Sequence, residues 1–224
     1  MRLSRRGLVL GLAGMATACA SDGVRKTPLV ASLAGPAAPN GSLPPQLEEP
    51  VSFVEPPAAP AVTLDPTGQI RKPLLQDALK ALDTHGARIT ERDAIYIVDF
   101  KRHSSQPRLY RLDLRNGEVQ TYRTAHGSGS DPSFTGFAER FSNVPNSNAS
   151  SVGAYVTAGA ASGAKHGPNV ILEGLDASNS KAREREIIVH AADYCEPSYL
   201  VRQGKLGRSW GCFSVSEADL RTLR

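Results

Sequence analysis

A stretch rich in proline and alanine, residues 20–68, sets the limits of what this chain can fold into. Its two densest parts read GPAAPNGSLPPQLEEP and EPPAAPA. Such a composition buries too little apolar surface to offset the entropy lost on ordering, and its prolines favour an extended, semi-stiff spacer. We therefore predict a disordered linker over residues 20–68 and one folded domain over residues 69–224, which is long enough to enclose a core.

The first 19 residues have the features of an export signal. Arginines at positions 2, 5 and 6 precede an apolar run over residues 8–18 that is too short for a stable membrane anchor. The arginine pair and the residues after it resemble a twin-arginine signal. Residues 17–19 resemble the end of a lipobox, in which Cys19 would carry a lipid; a cysteine without a role, in a signal cleaved elsewhere, is the alternative. We expect an exported, extracytoplasmic protein of the periplasm or cell envelope, attached to the membrane if Cys19 is lipidated.

Charge and cysteine content exclude several classes of protein. The net charge is +4 and the isoelectric point about 9.1, but the lysines and arginines are scattered and form no basic stripe with interleaved aromatics. Nucleic acid is therefore not an expected partner. Three cysteines are too few for a disulfide framework, so each needs its own explanation.

Hydrophobic periodicity predicts a mainly β domain. Residues 73–83 predict one short N-terminal helix, because Pro73 suits a first helical position and Gly86 lies just beyond the end. Asn116–Gly117 is typical of a type I′ hairpin turn. Strands are predicted over residues 94–100, 108–114, 118–125, 153–157, 169–172 and 186–191. Many short strands and few helices predict a β-sandwich or partly closed barrel.

A cysteine and a histidine near the C-terminus are the candidate catalytic residues. Cys212 follows Gly211, which allows close approach of a substrate to backbone N–H groups that could face an oxyanion. The thiolate is the reactive form, so a base must remove the proton. His190 closes an apolar run and would project from a strand end into a cleft. The alternative for His190 is a core histidine satisfied by hydrogen bonds.

Two segments, Ile188–His190 and Ser209–Cys212, resemble the catalytic signature of the L,D-transpeptidase (YkuD-type) family, in its murein L,D-transpeptidase catalytic-domain branch. The resemblance runs from about residue 75 to the end of the chain. The widespread family motif has a histidine in place of Trp210 and a shorter spacing from histidine to cysteine, so no role of that motif histidine carries over. Further segments that resemble the branch are residues 108–110, 125–130, 141–143, 150–155 and 172–175.

The resemblance implies a peptidoglycan L,D-transpeptidase that needs no metal or cofactor. Cys212 would attack the carbonyl of the third, diamino-acid residue of a tetrapeptide stem, D-Ala would leave, and a thioester would form. An amine of a second stem would then give a 3→3 cross-link. His190 would act as base and then acid, oriented by the Ala191 carbonyl. Carbapenems are expected to acylate Cys212, and the protein is expected to be a monomer whose partners are stem peptides.

Three more residues are candidate substrate contacts. Ser209 would position the substrate or support the oxyanion loop, or be a turn residue only. Arg208 would pair with a stem carboxylate, or be a solvated surface arginine. His126, in a Gly/Ser loop, would border the cleft. Cys195 is predicted to be a small buried hydrophobe; a zinc site of Cys195, Cys212 and His190 lacks a fourth ligand.

Two other functions stay open. One is an exported cysteine amidase or L,D-carboxypeptidase that uses the same cysteine and histidine but takes water as acceptor. The other is a non-catalytic, cell-wall-binding lipoprotein. The family usually continues a little beyond the position of Arg224, which leaves open a missing final segment of the domain.

Overall fold

The computed structural model describes residues 8–11 and 62–224; Cys19 and the linker up to residue 61 lie outside them. The helices are α1 (Lys72–His85), α2 (Pro197–Gln203) and α3 (Glu217–Leu223). The strands are β1 (Leu8–Gly11), β2 (Ala94–Val98), β3 (Leu109–Asp113), β4 (Val119–Tyr122), β5 (His126–Gly127), β6 (Gly153–Gly163), β7 (Gly167–Gly174), β8 (Ile188–Ala191), β9 (Arg208–Ser209) and β10 (Phe213–Val215). None of the helices in these described ranges is long and apolar enough to cross a membrane.

One mixed sheet organises the described residues. Its strand order is β10-β8-β7-β6-β1-β2-β3-β4, and β5 pairs with β9 in a separate two-stranded sheet. The mainly β prediction is therefore confirmed, with three short helices rather than one. The two outer strands, β10 and β4, do not pair with each other, so the described strands form no closed barrel.

The strand β1 comes from the segment predicted to be part of an export signal. Its residues Leu8–Gly11 lie in the middle of the sheet, parallel to β2 and antiparallel to β6. Leu8 pairs with Ile95 on one side and with Val156 on the other. The backbone of the apolar run thus contributes a sheet strand here, and the export signal itself stays a prediction.

Helix α1 covers one face of the sheet. Leu74 and Ala78 are its buried residues, and they pack in a cluster with Ile95 and Leu112 of β2 and β3. The predicted helix over residues 73–83 is confirmed, extended by one residue before and two after. Asp65 fixes the approach to this helix, since its carboxylate accepts the N–H groups of residues 69 and 70 at 2.9 and 2.7 Å.

An aromatic cluster on the other face anchors the strand that follows Cys212. Phe213, the first residue of β10, stacks on Phe100 with ring centroids 6.0 Å apart and meets Tyr155 edge-on at 5.5 Å. Leu220 of α3 belongs to the same buried cluster. Aromatic pairs at such distances add to the stability gained from apolar burial, so the position of β10 is well fixed.

The prediction of a type I′ turn at Asn116–Gly117 is wrong. That turn needs positive φ at both central residues, and here Gly117 has φ 80° while Asn116 is not in the left-handed region. The loop between β3 and β4 is longer than a two-residue hairpin turn. Within it, the N–H of Gly117 donates to the carbonyl of Asp113 at 2.8 Å, and the N–H of Glu118 donates to Oδ1 of Asn116 at 2.9 Å. The result is an Asx-type loop in which Gly117 lies so close to the backbone of residue 63 that a Cβ there would collide with its carbonyl oxygen.

Candidate active site

Cys212 and His190 come from neighbouring parallel strands. Strand β10 pairs with β8 so that Ser214 lies beside His190, and Cys212 directly precedes β10. Both side chains are shielded from solvent, with 9% of Cys212 and 2% of His190 exposed. Strand pairing therefore brings the predicted nucleophile and the predicted base to one end of the sheet.

The sulfur of Cys212 has polar neighbours but carries its proton in this environment. The thiol donates to the carbonyl oxygen of Glu186, with a sulfur–oxygen distance of 3.6 Å. Burial raises the pKa of Cys212, while the backbone N–H of Ile188 and the charges of Lys165 and Arg185 pull it down. The net shift is upward, so at neutral pH the thiol needs a base to become a nucleophile.

The turn that carries this carbonyl is strained. Glu186 has φ 53°, which lies in the left-handed region of backbone conformation. Residues other than glycine, asparagine and aspartate rarely adopt it. Hydrogen bonds hold it there: its own N–H donates to the carbonyl of Arg183 at 3.2 Å, and the next N–H donates to Ala182 at 2.9 Å. Backbone strain of this kind clusters at functional sites.

His190 is fixed in one tautomer. Its Nδ1 lies 2.8 Å from the carbonyl oxygen of Ala191, and since a carbonyl can only accept, Nδ1 carries the proton. Nε2 then has no proton and carries the lone pair, with which it accepts a hydrogen bond from the Ser214 hydroxyl at 3.0 Å. Tyr194 Oη lies 2.9 Å from the same hydroxyl. Neither of these two hydrogen bonds of His190 goes to Cys212.

The electrostatic surroundings keep His190 neutral. Burial lowers its pKa most, the Ala191 carbonyl raises it, and the nearby His166 and Lys165 lower it further. The net shift is downward from the ordinary value of 6.5. The imidazole is therefore in its basic form at neutral pH, which is the form that can accept a thiol proton.

Two serines hold the loop that precedes the nucleophile. Ser209 Oγ donates to the carbonyl of Cys212 at 2.7 Å and accepts the N–H of Gly211 at 3.1 Å. Ser150 Oγ donates to the carbonyl of Gly211 at 3.2 Å. Gly211 has φ 118°, and a Cβ there would lie 2.9 Å from the Ala149 carbonyl oxygen. Ser209 thus supports the loop, and the Gly211 N–H is bonded within the protein.

The other two predicted substrate contacts brace a neighbouring loop. Strand β5 pairs with β9, so that His126 lies beside Arg208. The Arg208 guanidinium donates to the carbonyls of Asp131 and Pro132 and lies over the ring of Phe134 at 4.5 Å. His126 is completely buried. The sequence predicted that both side chains contact substrate. In this structure Arg208 is half-buried and His126 is enclosed, and their substrate contacts stay predictions.

His126 belongs to a buried charge network. Its Nδ1 accepts from the Arg108 guanidinium at 2.7 Å, so the proton sits on Nε2, 3.3 Å from a carboxylate oxygen of Asp131. Burial, and then the charge of Arg108, lower the pKa of His126 to about 4. Burial alone would raise the pKa of Asp131, but N–H donors from Gly136 and Thr135 make the net shift downward. A neutral imidazole therefore separates a cation from an anion.

This network predicts acid destabilisation. The pKa of His126 lies at about 4 in the folded chain against an ordinary 6.5, so between these values the unfolded chain binds more protons and stability falls as the pH falls. The loss is at most about 3 kcal/mol. We expect denaturant unfolding at pH 7 and pH 4.5 to show it, with a smaller difference for His126→Asn, which keeps an acceptor for Arg108. Equal pH dependence of the two proteins would contradict the assignment.

Several residues at the site escaped the sequence patterns. The ring of His166, in the turn between β6 and β7, lies 4.2 Å from that of His190, and Lys165 Nζ lies 4.1 Å above the ring of Trp210. Arg185 holds the loop that contains residues 142–149, because its guanidinium donates to the carbonyls of Ser142 and Ala149. Nothing in the sequence spacing shows that these turns fold over the site.

Cys195 lies in a small apolar cluster with Ala125 and Leu206, away from the hydrogen bonds of the site. It is a free thiol, as Cys212 is, and burial raises its pKa. Its burial agrees with the prediction of a small buried hydrophobe. Within residues 62–224 no group of three or more histidine, cysteine or acidic side chains could hold a metal ion.

Comparison with known proteins shows the family of the chain. The model of the L,D-transpeptidase catalytic domain matches residues 67–223, which include α1–α3 and β2–β10. No curated protein and no solved structure matches the chain. The family match covers most of the chain and contains both Cys212 and His190, so the chain belongs to the L,D-transpeptidase catalytic domain family.

Proposed function

We propose that this protein is a peptidoglycan L,D-transpeptidase in which Cys212 is the nucleophile and His190 the base. The observation that carries the proposal is the pairing of β8 with β10, which places His190 and Cys212, the residue before β10, at one end of the sheet on neighbouring strands. The Ala191 carbonyl does for His190 what a carboxylate does in a three-residue catalytic site. Family membership supports a cell-wall substrate and action outside the cytoplasm.

In the first step the thiol proton of Cys212 passes to Nε2 of His190. The sulfur attacks the carbonyl carbon of the third residue of a tetrapeptide stem, and the electron pair of that C=O bond moves to oxygen. When the oxyanion collapses, the carbon–nitrogen bond breaks and His190 returns the proton to the leaving amine of D-Ala. The product is a thioester on Cys212.

The hydrogen bonds of the site support two further proposals about the mechanism. Since Ser209 already accepts the Gly211 N–H, we assign the oxyanion to the N–H of Cys212 itself. Nε2 of His190 is occupied by the Ser214 hydroxyl, which must turn away before the thiol proton can arrive. Tyr194 Oη, 2.9 Å from the hydroxyl, offers the alternative acceptor for this rotation.

In the second step an acceptor attacks the thioester carbonyl and His190 takes the acceptor's proton. The carbon–sulfur bond then breaks, and the Cys212 thiolate that leaves takes the proton back from His190. An amine on a second stem gives a 3→3 cross-link, whereas water gives carboxypeptidation. Adding an amine acceptor separates the two outcomes, because a transpeptidase partitions its acyl-enzyme toward the amine. We place the protein in the cell envelope as a monomer, with a lipid on Cys19 as the proposed attachment.

A carbapenem tests the proposal directly. Its strained lactam can acylate Cys212 in the way the stem carbonyl does. We expect intact mass spectrometry to find one adduct per chain and peptide mapping to place it on Cys212. A folded, reduced protein without an adduct would contradict the proposal and favour a non-catalytic wall-binding protein.

Ser214→Ala tests how His190 is held. The change removes the donor to Nε2, and the informative readout is the pH–rate profile of carbapenem acylation. The Ser214 hydroxyl donates to the neutral form of His190, so its loss should raise the pKa of His190. The acid limb of the pH–rate profile should therefore shift to higher pH. Tyr194→Phe keeps the bond between Ser214 and His190 but removes the acceptor to which the hydroxyl would turn, so we expect it to slow acylation by about fivefold without moving the acid limb. A Ser214→Ala profile that overlays the wild type would refute this positioning role.

A further inference from the structure

A cation without a counter-charge lies beside the loop that carries the nucleophile. Arg185 belongs to the turn that precedes β8, and it is partly buried. Its guanidinium donates to four acceptors, none of which is charged: the carbonyls of Ser142 and Ala149 and the hydroxyls of Ser147 and Ser151. None of the ion pairs in the described part of the chain includes it. Burying a cation costs free energy that neutral acceptors recover only in part.

The guanidinium reaches the backbone of the residue before the nucleophile. A Cβ built on Gly211 would lie 3.2 Å from Nη2 of Arg185, and 2.9 Å from the Ala149 carbonyl oxygen to which that nitrogen donates. Glycine at this position therefore lets the guanidinium approach the loop more closely than a side chain would permit. The positive charge is thereby held against the residue that directly precedes Cys212.

Arg185 is the best shielded of the charges that act on Cys212. Burial raises the pKa of the Cys212 thiol and the backbone N–H of Ile188 lowers it; Lys165 and Arg185 lower it further, and the Glu186 carboxylate opposes them. Lys165 and Glu186 are exposed, so water and salt weaken their fields. The other titratable groups of the site are uncharged at neutral pH: His166, His190, Tyr155 and Tyr194.

Negative charge appears beside this cation only during the reaction. In the resting site the thiol carries its proton and the imidazole is neutral. When the thiol proton of Cys212 passes to Nε2 of His190, a thiolate forms, and the attack on the substrate then moves that charge to the carbonyl oxygen. A positive charge that hydrogen bonds already hold in place stabilises these anions without any rearrangement of the protein.

We propose that Arg185 is a positioning residue whose guanidinium supplies the fixed positive charge for the Cys212 thiolate and for the oxyanion that follows it. It acts through space and through the backbone of Gly211, without touching the substrate. The inference goes beyond the proposed function and rests on it only in taking Cys212 as the nucleophile. A purely structural role, in which Arg185 holds the loop of residues 142–151 by hydrogen bonds alone, is the competing explanation.

The pH dependence of iodoacetamide alkylation separates the charge of Arg185 from its hydrogen bonds. The full chain carries His190→Gln in this experiment, so that the base itself does not titrate, and peptide mapping follows Cys212 alone. Arg185→Gln keeps an N–H donor but loses the charge, so we expect the alkylation midpoint of Cys212 to rise by about 1 pH unit or more. Arg185→Lys keeps the charge, and its midpoint should stay within about half a pH unit of the reference.

Arg183→Gln is the matched control, because it removes the same charge from an exposed position in the same turn. Its alkylation midpoint should equal the reference. In chains that retain His190, Arg185→Gln should also slow carbapenem acylation at pH 7 by about tenfold, the rate equivalent of 1 pH unit, and Arg185→Lys by less than about threefold. Thermal unfolding of each variant shows whether it has folded.

The outcomes distinguish this inference from the proposed function. A midpoint that stays at the reference in Arg185→Gln, or that rises equally in Arg185→Lys or Arg183→Gln, would overturn the role of the charge. If Arg185→Gln does not fold, Arg185→Lys decides: a folded lysine variant at the reference midpoint supports the proposal, and a raised midpoint overturns it. The expected shifts in a protein whose wild type forms no carbapenem adduct would overturn the proposed function alone.

Discussion

A Cys212→Ala protein is expected to fold as the wild type does and to lose all turnover. The side chain removed is small and 9% exposed, and its polar contacts are a weak hydrogen bond to the Glu186 carbonyl and one from the backbone N–H of Ile188. Its neighbours in the core, Phe213 and the strands β8 and β10, are unchanged. Without the sulfur no thioester can form, so both D-Ala release and the carbapenem adduct should disappear while the thermal unfolding curve stays close to that of the wild type.

Cys195→Ser is the matched control for this experiment. It changes the other cysteine of the described residues, which lies in a separate apolar cluster. We expect it to retain the adduct on Cys212 and the release of D-Ala. Turnover that survived in folded Cys212→Ala would remove Cys212 as nucleophile. A folded but inactive Cys195→Ser protein would give the second cysteine a role that its surroundings do not suggest.

His190→Gln should slow acylation by about 10²- to 10⁴-fold, the usual contribution of a general base. The expected loss is large because burial raises the pKa of Cys212, which leaves little thiolate at neutral pH without a base. In the wild type the pKa of His190 lies below 6.5, so activity should persist below that pH and fall only as the imidazole becomes protonated. The variant should lack this acid limb.

His166→Gln is the control for His190→Gln. It removes the stacked ring next to His190 but leaves the hydrogen bonds of His190 to Ala191 and Ser214. The positive charge of a protonated His166 lowers the pKa of His190, so we expect its loss to move the acid limb slightly upward without removing it. Near-normal acylation by folded His190→Gln would show that another group removes the thiol proton.

Local patterns made much of the fold predictable. Helix α1 and strands β2, β3 and β7 follow from apolar periodicity, because each has one face against a core. The helices α2 and α3 are only seven residues long, which is too short for a hydrophobic periodicity to be recognised in the sequence. Their ends nevertheless carry signals: Pro197 opens α2, Gly204 follows it with φ 68°, and Ser216 caps α3 by accepting the N–H of Asp219.

The candidate site was predictable only as a list of residue types. A glycine–cysteine loop and a histidine at a strand end indicate nucleophile and base, but register decides what each ring nitrogen touches. Ser214 meets His190 because β10 pairs with β8 in one particular alignment. His126 was expected at the cleft, yet the pairing of β5 with β9 and the buried guanidinium of Arg108 hold it inside. Long-range pairing of this kind leaves no trace in local sequence.

The strand order also bears on when the chain becomes reactive. Strand β10 lies at the outer edge of the described sheet and follows every other strand of it in the sequence. During synthesis, strands β2 to β8 can form before the ribosome has released the segment that contains Cys212 and β10. Until β10 docks against β8, the cysteine is an ordinary thiol without its base, its strained carbonyl neighbour or its oxyanion loop. The activated thiol thus depends on the docking of the last strand of the sheet, so a chain in which β10 has not docked against β8 lacks the assembled site.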